Sequence, residues 1–462
     1  MKSSVRGLLV LFLLVAGCTT TPPYERPEIE LPEAWKESAP RYAADGRWWR
    51  LFDEPELDAL VEEARANNAD LVIAAARVDE ARALLGEAQS FFSPTLDAGA
   101  SAARQRISRR AAGIPPGAPR EFSSYRATLD LSYEIDLFGR LRAGERAARA
   151  ELEASEAARE AVRLALTAAV AQSYFSLRAL DEQIELFSRT VKLREESIAL
   201  QRRRFQAGLL SEFEFRQLEA EAAAARAQLP PLQRAREQEE AVLSVLLGRS
   251  PREVLEKRIA FAGGQDPVLE APVLPAGIPS ELLLRRPDLV EAERQLAAAN
   301  ARVAVARAEM FPSIGLTAAL GSESMALSSL FGAGAGLWSV GVGLAQPIFA
   351  GGRLEAREAA AQARERALLA QYQKTIQTAF SEVRAALAAQ ARSRESFEAE
   401  TAREVALTET LRLARLRYEN GIASQLDVLD AERGLLAARS ARIDALRAYR
   451  SAIADLYRAL GG

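Results

Sequence analysis

Two stretches of this chain repeat each other at a spacing of 213 residues. Arg204-Phe205-Gln206-Ala207-Gly208-Leu209-Leu210-Ser211 aligns with Arg417-Tyr418-Glu419-Asn420-Gly421-Ile422-Ala423-Ser424, and Glu219 with Glu432. A helical pattern enters each stretch and breaks at a Gly, which takes the left-handed conformation at a helix end without a side-chain clash. The pattern resumes after a Ser suited to an N-cap. Either copy alone reads as an ordinary helix–helix turn. Two copies in register give the tips, Gly208 and Ser211 in one and Gly421 and Ser424 in the other, a shared role.

The repeat extends well beyond the hairpin. Asp70-Leu71-Val72 and Pro94-Thr95-Leu96 recur as Asp288-Leu289-Val290 and Pro312-Ser313-Ile314, now 218 residues on. The first copy therefore carries five more residues, which the Pro/Gly cluster from Ala111 to Pro119 accommodates. The chain divides into copies at 58–248 and 279–461, joined by a Pro/Gly-rich linker at 249–278. Each copy reads helix, strand, loop, strand, long helix, turn, helix. A first helix is expected from Leu57 to about Phe92, and Pro230-Pro231 is expected to interrupt and kink the first return helix.

Ahead of the repeats stands a targeting device. Lys2 and Arg6 flank an apolar run from Leu8 to Val15 that is too short to span a bilayer. Val15-Ala16-Gly17-Cys18 matches the bacterial lipobox, so residues 1–17 read as a lipoprotein signal peptide and Cys18 as the acylated residue. Cys18 is the only cysteine, which leaves it no internal disulfide partner. Residues 18–57 are Pro-rich and read as an extended tail, anchored to something apolar by Trp48-Trp49-Arg50-Leu51-Phe52.

Composition narrows the chemistry. The net charge of −3 excludes the basic surface that nucleic acid demands. With no histidine, the usual general base and the commonest metal ligand are missing. Carboxylate or Ser-Lys chemistry stays formally open, but nothing in the chain points to it; no metal or cofactor is expected beyond the covalent lipid on Cys18.

The strands carry the strongest physical argument. Tyr125, Ala127, Leu129, Leu131, Tyr133 and Ile135 alternate with Arg126, Thr128, Asp130, Ser132, Glu134 and Asp136, a period that separates two sheet faces. Trp338, Val340, Val342 and Leu344 do the same, as do shorter runs from Leu96 and Ile314. Such alternation also fits a sheet with one face on a soluble core. Yet only four strands are visible, with no spare apolar layer to cover them, and the apolar-out pattern over about ten residues is that of transmembrane barrel strands. A membrane sheet must close, and four strands are too few against the roughly eight of small barrels. Several chains must therefore contribute, which makes an obligate oligomer.

Residues 353–419 contain no Pro and no Gly, and 140–207 only Gly144, so each long helix spans on the order of 100 Å. Leu177, Leu180, Ile184, Phe187 and Val191, and likewise Ile443, Leu446, Tyr449, Ile453, Leu456 and Leu460, form coiled-coil-like seams.

These features together resemble the outer membrane factor family, the TolC-like export ducts of Gram-negative tripartite pumps, in its lipoprotein branch serving RND-type efflux systems. The resemblance covers nearly the whole mature chain. It rests on Trp49 to Asp53, Arg286-Pro287-Asp288-Leu289, Phe311-Pro312, Gln346-Pro347-Ile348-Phe349 leading to Gly351-Gly352-Arg353, and the Tyr418…Gly421…Asp427-Val428-Leu429-Asp430 tip.

The resemblance implies a mainly α chain with a small β part. Three copies would give four strands each to a twelve-stranded outer-membrane barrel, continued by a helical periplasmic barrel. The partners implied are a periplasmic adaptor and an inner-membrane RND-type pump, with small molecules, metal ions or proteins passing through. Asp427 and Asp430 match the family's acidic constriction, where mutual repulsion would raise the carboxylate pKa values and favour cations; the plainer reading is a solvated helix face. Tyr418 matches a tip tyrosine that holds the closed state, while Ala423 stands where some members carry a gating Arg. The first tip, with Phe215, Leu218, Arg216 and Gln217 near these positions, is not expected to contribute acids. The competing class is a periplasmic lipid-anchored coiled-coil scaffold or adaptor without a pore.

Overall fold

A computed structural model describes residues 24–27, 47–108, 120–259, 261 and 285–462. The signal segment, Cys18, the loop at 111–119 and most of the 249–278 linker lie outside the described residues.

The first described element is a 3-10 turn at Trp48–Phe52, followed by α1 (Pro55–Asn67), α2 (Ala69–Ser90), β1 (Thr95–Arg106), β2 (Glu121–Ile135), α3 (Arg140–Gln206) and α4 (Glu212–Leu246). After the short α5 (Pro251–Glu256) come α6 (Pro287–Ala308), β3 (Ser313–Ser324), β4 (Gly336–Ala345), α7 (Arg353–Glu419) and α8 (Gln425–Leu460). The long helices α3 and α7 each run 67 residues from equivalent starting positions.

The helix expected from Leu57 to Phe92 is in fact two. Asn68 adopts an extended backbone between α1 and α2. Its Oδ1 accepts from the N–H groups of Asp70 at 2.9 Å and Leu71 at 3.3 Å, capping α2, and its Nδ2 donates to the Leu246 carbonyl at 2.9 Å. The second copy repeats this joint with different chemistry: Arg286 donates to the Ala459 carbonyl at 3.0 Å. Gly248, in the left-handed region, lets that end of the chain approach α1; a Cβ there would lie 2.2 Å from the Asn67 carbonyl oxygen. The expected interruption at Pro230-Pro231 is also absent. Helix α4 continues through both prolines, forgoing their N–H donors without ending.

The chain forms two compact units, each drawing on both sequence repeats. The first holds 24–27, 77–108, 120–156 and 291–373, and the second holds the other described residues. In the second unit the apolar core gathers the N-terminal anchor. Trp48 stacks on Tyr457 at 5.6 Å, and Phe52 meets Phe175 at 4.7 Å, all four being fully buried. The stripe Ile443, Leu446, Tyr449, Ile453 and Leu456 of α8 is buried in the same unit.

In the first unit the four strands form one sheet in the order β1-β2-β3-β4, every pairing antiparallel. The register aligns the apolar positions into rows across it. Leu96, Leu131, Ala318 and Val340 form one row, and Ala98, Leu129, Leu320 and Trp338 the next. Trp338 is 77% exposed, and Val340 and Val342 are each 74% exposed. No described element covers this face, and β1 and β4 each pair on one side only. No described helix is long and apolar enough to cross a membrane, a test that does not bear on strands.

Candidate functional site

The two hairpin tips are built alike. Helix α3 ends as Gly208 takes φ 71°, with Gly208 N–H donating to the Phe205 carbonyl and Leu209 N–H to that of Arg204. Helix α7 ends in the same way at Gly421, also φ 71°, through the carbonyls of Tyr418 and Arg417. These are the paired bonds that close a helix C-terminus on a left-handed residue.

Each return helix then opens with a capping box. In the first tip, Ser211 N–H and Oγ donate to Glu214 Oε2 at 3.0 and 2.7 Å, while Glu214 N–H donates to Ser211 Oγ at 3.3 Å. In the second, Ser424 N–H and Oγ donate to Asp427 Oδ2, both at 2.7 Å, and Asp427 N–H donates back at 3.3 Å. These hydrogen bonds to Ser424 hold the Asp427 carboxyl below its ordinary value, and Glu214 is lowered in the same way by Ser211. Within one chain the shift at Asp427 is thus opposite to the rise expected from a ring of like charges.

The expectation that the first tip lacks an acid at these positions needs correction. Glu214 occupies the place of Asp427, and only Asp430 is replaced there, by Gln217. The pattern Ser-x-x-Glu at 211–214 already carried this signal. Asp430 lies one turn beyond Asp427, 62% exposed, and pairs with Arg433 at 2.8 Å. Val428, Leu429 and Ala431 are buried, so both acids lie on the outward side of α8.

Tyr418 is half-buried. Phe205 takes its place in the first tip, stacked on Phe215 at 5.1 Å beneath the Arg202 guanidinium. The tips also share a feature that sequence reading overlooked. Leu209 and Phe213 of the first and Ile422 and Leu426 of the second are exposed hydrophobics at matching positions. The spacing of 213 would have revealed them.

No group of His, Cys, Asp or Glu among the described residues could hold a metal ion. Where the sheet joins the helices, a cavity of about 830 Å³ is lined by Glu134, Asp136, Arg140, Glu309 and Arg357. Its charges are matched internally: Arg140 forks onto Glu134 at 3.1 and 2.7 Å, and Arg357 meets Glu309 at 2.8 Å.

Known proteins resemble the chain over nearly its whole length. The sequence profile described as "Outer membrane efflux protein" matches residues 60–249 and 278–462. The toluene efflux pump outer membrane protein TtgC of Pseudomonas putida is 36% identical over 100% of this chain and 96% of its own. The cation efflux system protein CusC of Escherichia coli is 34% identical over 97% of this chain and 96% of its own. The crystal structure of the Campylobacter jejuni CmeC outer membrane channel superposes with a TM-score of 0.86 at 28% identity, covering 96% of this chain and 95% of that one. The chain belongs to the outer membrane efflux protein family.

Proposed function

We propose that this chain is the outer-membrane exit duct of a tripartite efflux system, working as a homotrimer. The observation that carries the reading is the sheet: apolar rows in register, one face uncovered, and unpaired strands at both edges. Hydrocarbon outside and further copies at the edges satisfy both requirements at once. Three copies give twelve strands. A soluble scaffold would leave the same valines and tryptophan in water, against the apolar burial that drives folding.

Cys18 carries the lipid that tethers the tail to the outer membrane. The tips at Gly208, Ser211, Gly421 and Ser424 face a periplasmic adaptor, with Leu209, Phe213, Ile422 and Leu426 as its apolar contacts, and an inner-membrane RND-type pump supplies the energy. Asp427 and Asp430 from each copy form the periplasmic constriction, with Tyr418 bracing its closed state. The cargo is small molecules; the relatives' names point to toluene in one case and cations in another.

The test is single-channel conductance of the purified, acylated protein in a planar bilayer. A small, cation-preferring current that grows or loses selectivity in Asp427→Ala/Asp430→Ala supports both pore and gate. An unchanged current moves the constriction elsewhere, and no current from folded oligomer overturns the duct.

A further inference from the structure

Asp430 does not face the solvent as a bare charge. Its Oδ1 lies 2.8 Å from an Arg433 guanidinium nitrogen, and the Nε of the same guanidinium lies 3.2 Å from Glu221 Oε1 on α4, in the other hairpin. Glu221 is held from the far side by Arg194 of α3 at 3.4 Å, and Arg194 also donates to the Glu221 carbonyl. The Glu221 and Arg194 side chains are only 16% and 11% exposed, so this end of the chain of charges is fixed.

Other polar ties also join α8 to the first hairpin, among them Arg442 to Glu182 at 3.4 Å and Gln172 to Asp455 at 2.8 Å. Both lie farther from the tips. Among the described residues, Arg433–Glu221 is the polar tie between hairpins nearest the tips. Beside it a cavity of about 380 Å³ opens between the hairpins, lined by Leu193, Leu218 and Glu221 on one side and Leu429, Glu432 and Leu436 on the other. The sequence repeat also breaks at this level. Gly434, the sole glycine of α8, stands where the first copy has Glu221, and a Cβ on it would meet Leu407 at 3.4 Å.

We propose that Arg433 sets the charge and position of the second tip: its guanidinium neutralises Asp430 and, through Glu221, ties the second hairpin to the first. The proposal rests on the duct reading above and adds to it a residue that acts on the gate through Asp430. The acidic constriction is then weaker than its carboxylates alone would make it, because each Asp430 brings its own counter-ion. Opening requires the Arg433–Glu221 tie to yield, and the hairpin beyond Gly434 is the part released.

Conductance reports the tie, and the cation-over-anion permeability ratio reports the charge. Arg433→Gln should raise both, the ratio by roughly two- to five-fold in dilute salt, as for a unit charge removed from about 4 Å in a solvated site. Glu221→Gln should raise conductance and leave the ratio near wild type. The double variant Glu221→Gln/Arg433→Gln should conduct no more than Arg433→Gln alone, because both substitutions remove the same tie, while its ratio stays high, a split that a merely structural role does not produce. Wild-type values in Arg433→Gln, or conductance gains that simply add in the double variant, would overturn the proposal. Should the folded wild-type oligomer carry no current, the duct reading falls, and the tie is read by thermal midpoints of the two neutralised variants and their double. Non-additive shifts support the tie; additive shifts overturn it.

Discussion

Ser424 and Asp427 close the first turn of α8 on each other: two hydrogen bonds of 2.7 Å run from Ser424 to the Asp427 carboxylate, and one of 3.3 Å returns. The same carboxylate is one of the two that the family resemblance implies at a constriction. Asp427 therefore shapes the tip as a helix-capping residue.

Removing the cap should loosen the tip. Ser424→Ala is expected to cost about 1 kcal/mol of local helix stability. Amide exchange at residues 425–428 should quicken about five-fold, with residues 440–460 unaffected. The pH dependence follows from the depressed Asp427 value. Its contribution is fully present above the ordinary carboxylate value of 3.8 and is lost as pH falls through the lower folded value. A spin label at Ile422→Cys should stay ordered as pH falls through 3.8 and become mobile only as it passes the lower folded value. In Ser424→Ala that loss should move to higher pH.

The two sheet faces should differ in their tolerance of charge. Val340→Arg or Val342→Arg places a cation in hydrocarbon, at roughly 2–4 kcal/mol near the bilayer midplane. Ser339→Arg, one residue away on the opposite face, should be accepted. Recovery of heat-resistant oligomer from outer membranes separates the cases, with the valine variants depleted and the serine variant near wild type.

The anchor of the N-terminal tail should be costly to remove. Phe175 is fully buried against Phe52, with the Arg450 guanidinium 5.7 Å from its ring. Phe175→Ala is expected to lose about 3–5 kcal/mol. The thermal midpoint should fall, and protease should cut after Trp48–Phe52 is released.

The repeats, the strand faces and the hairpin tips were legible because each depends on local period or spacing. Alternation of two placed Leu129 and Val340 on one face without knowledge of their partners. The break at Asn68 was not legible, since an Asn within a helical pattern becomes a cap only when a tertiary acceptor, the Leu246 carbonyl, draws its side chain away. Pro230 and Pro231 misled in the opposite sense, because a helix set in a larger structure tolerates losses that would end an isolated one. Glu214 was readable and passed over. The Arg433–Glu221 tie joins residues 212 positions apart in different hairpins, and no local pattern announces such a contact.

The central claim is that four strands with two open edges close only with other copies of this chain. Its most direct test is the particle mass of the acylated protein extracted in mild detergent, measured by sedimentation with the bound detergent matched out. The account predicts three chains and twelve strands, with no folded monomer on dilution. Two or four chains would keep closure and overturn the twelve-stranded barrel. A stable single chain with its sheet intact would contradict the account.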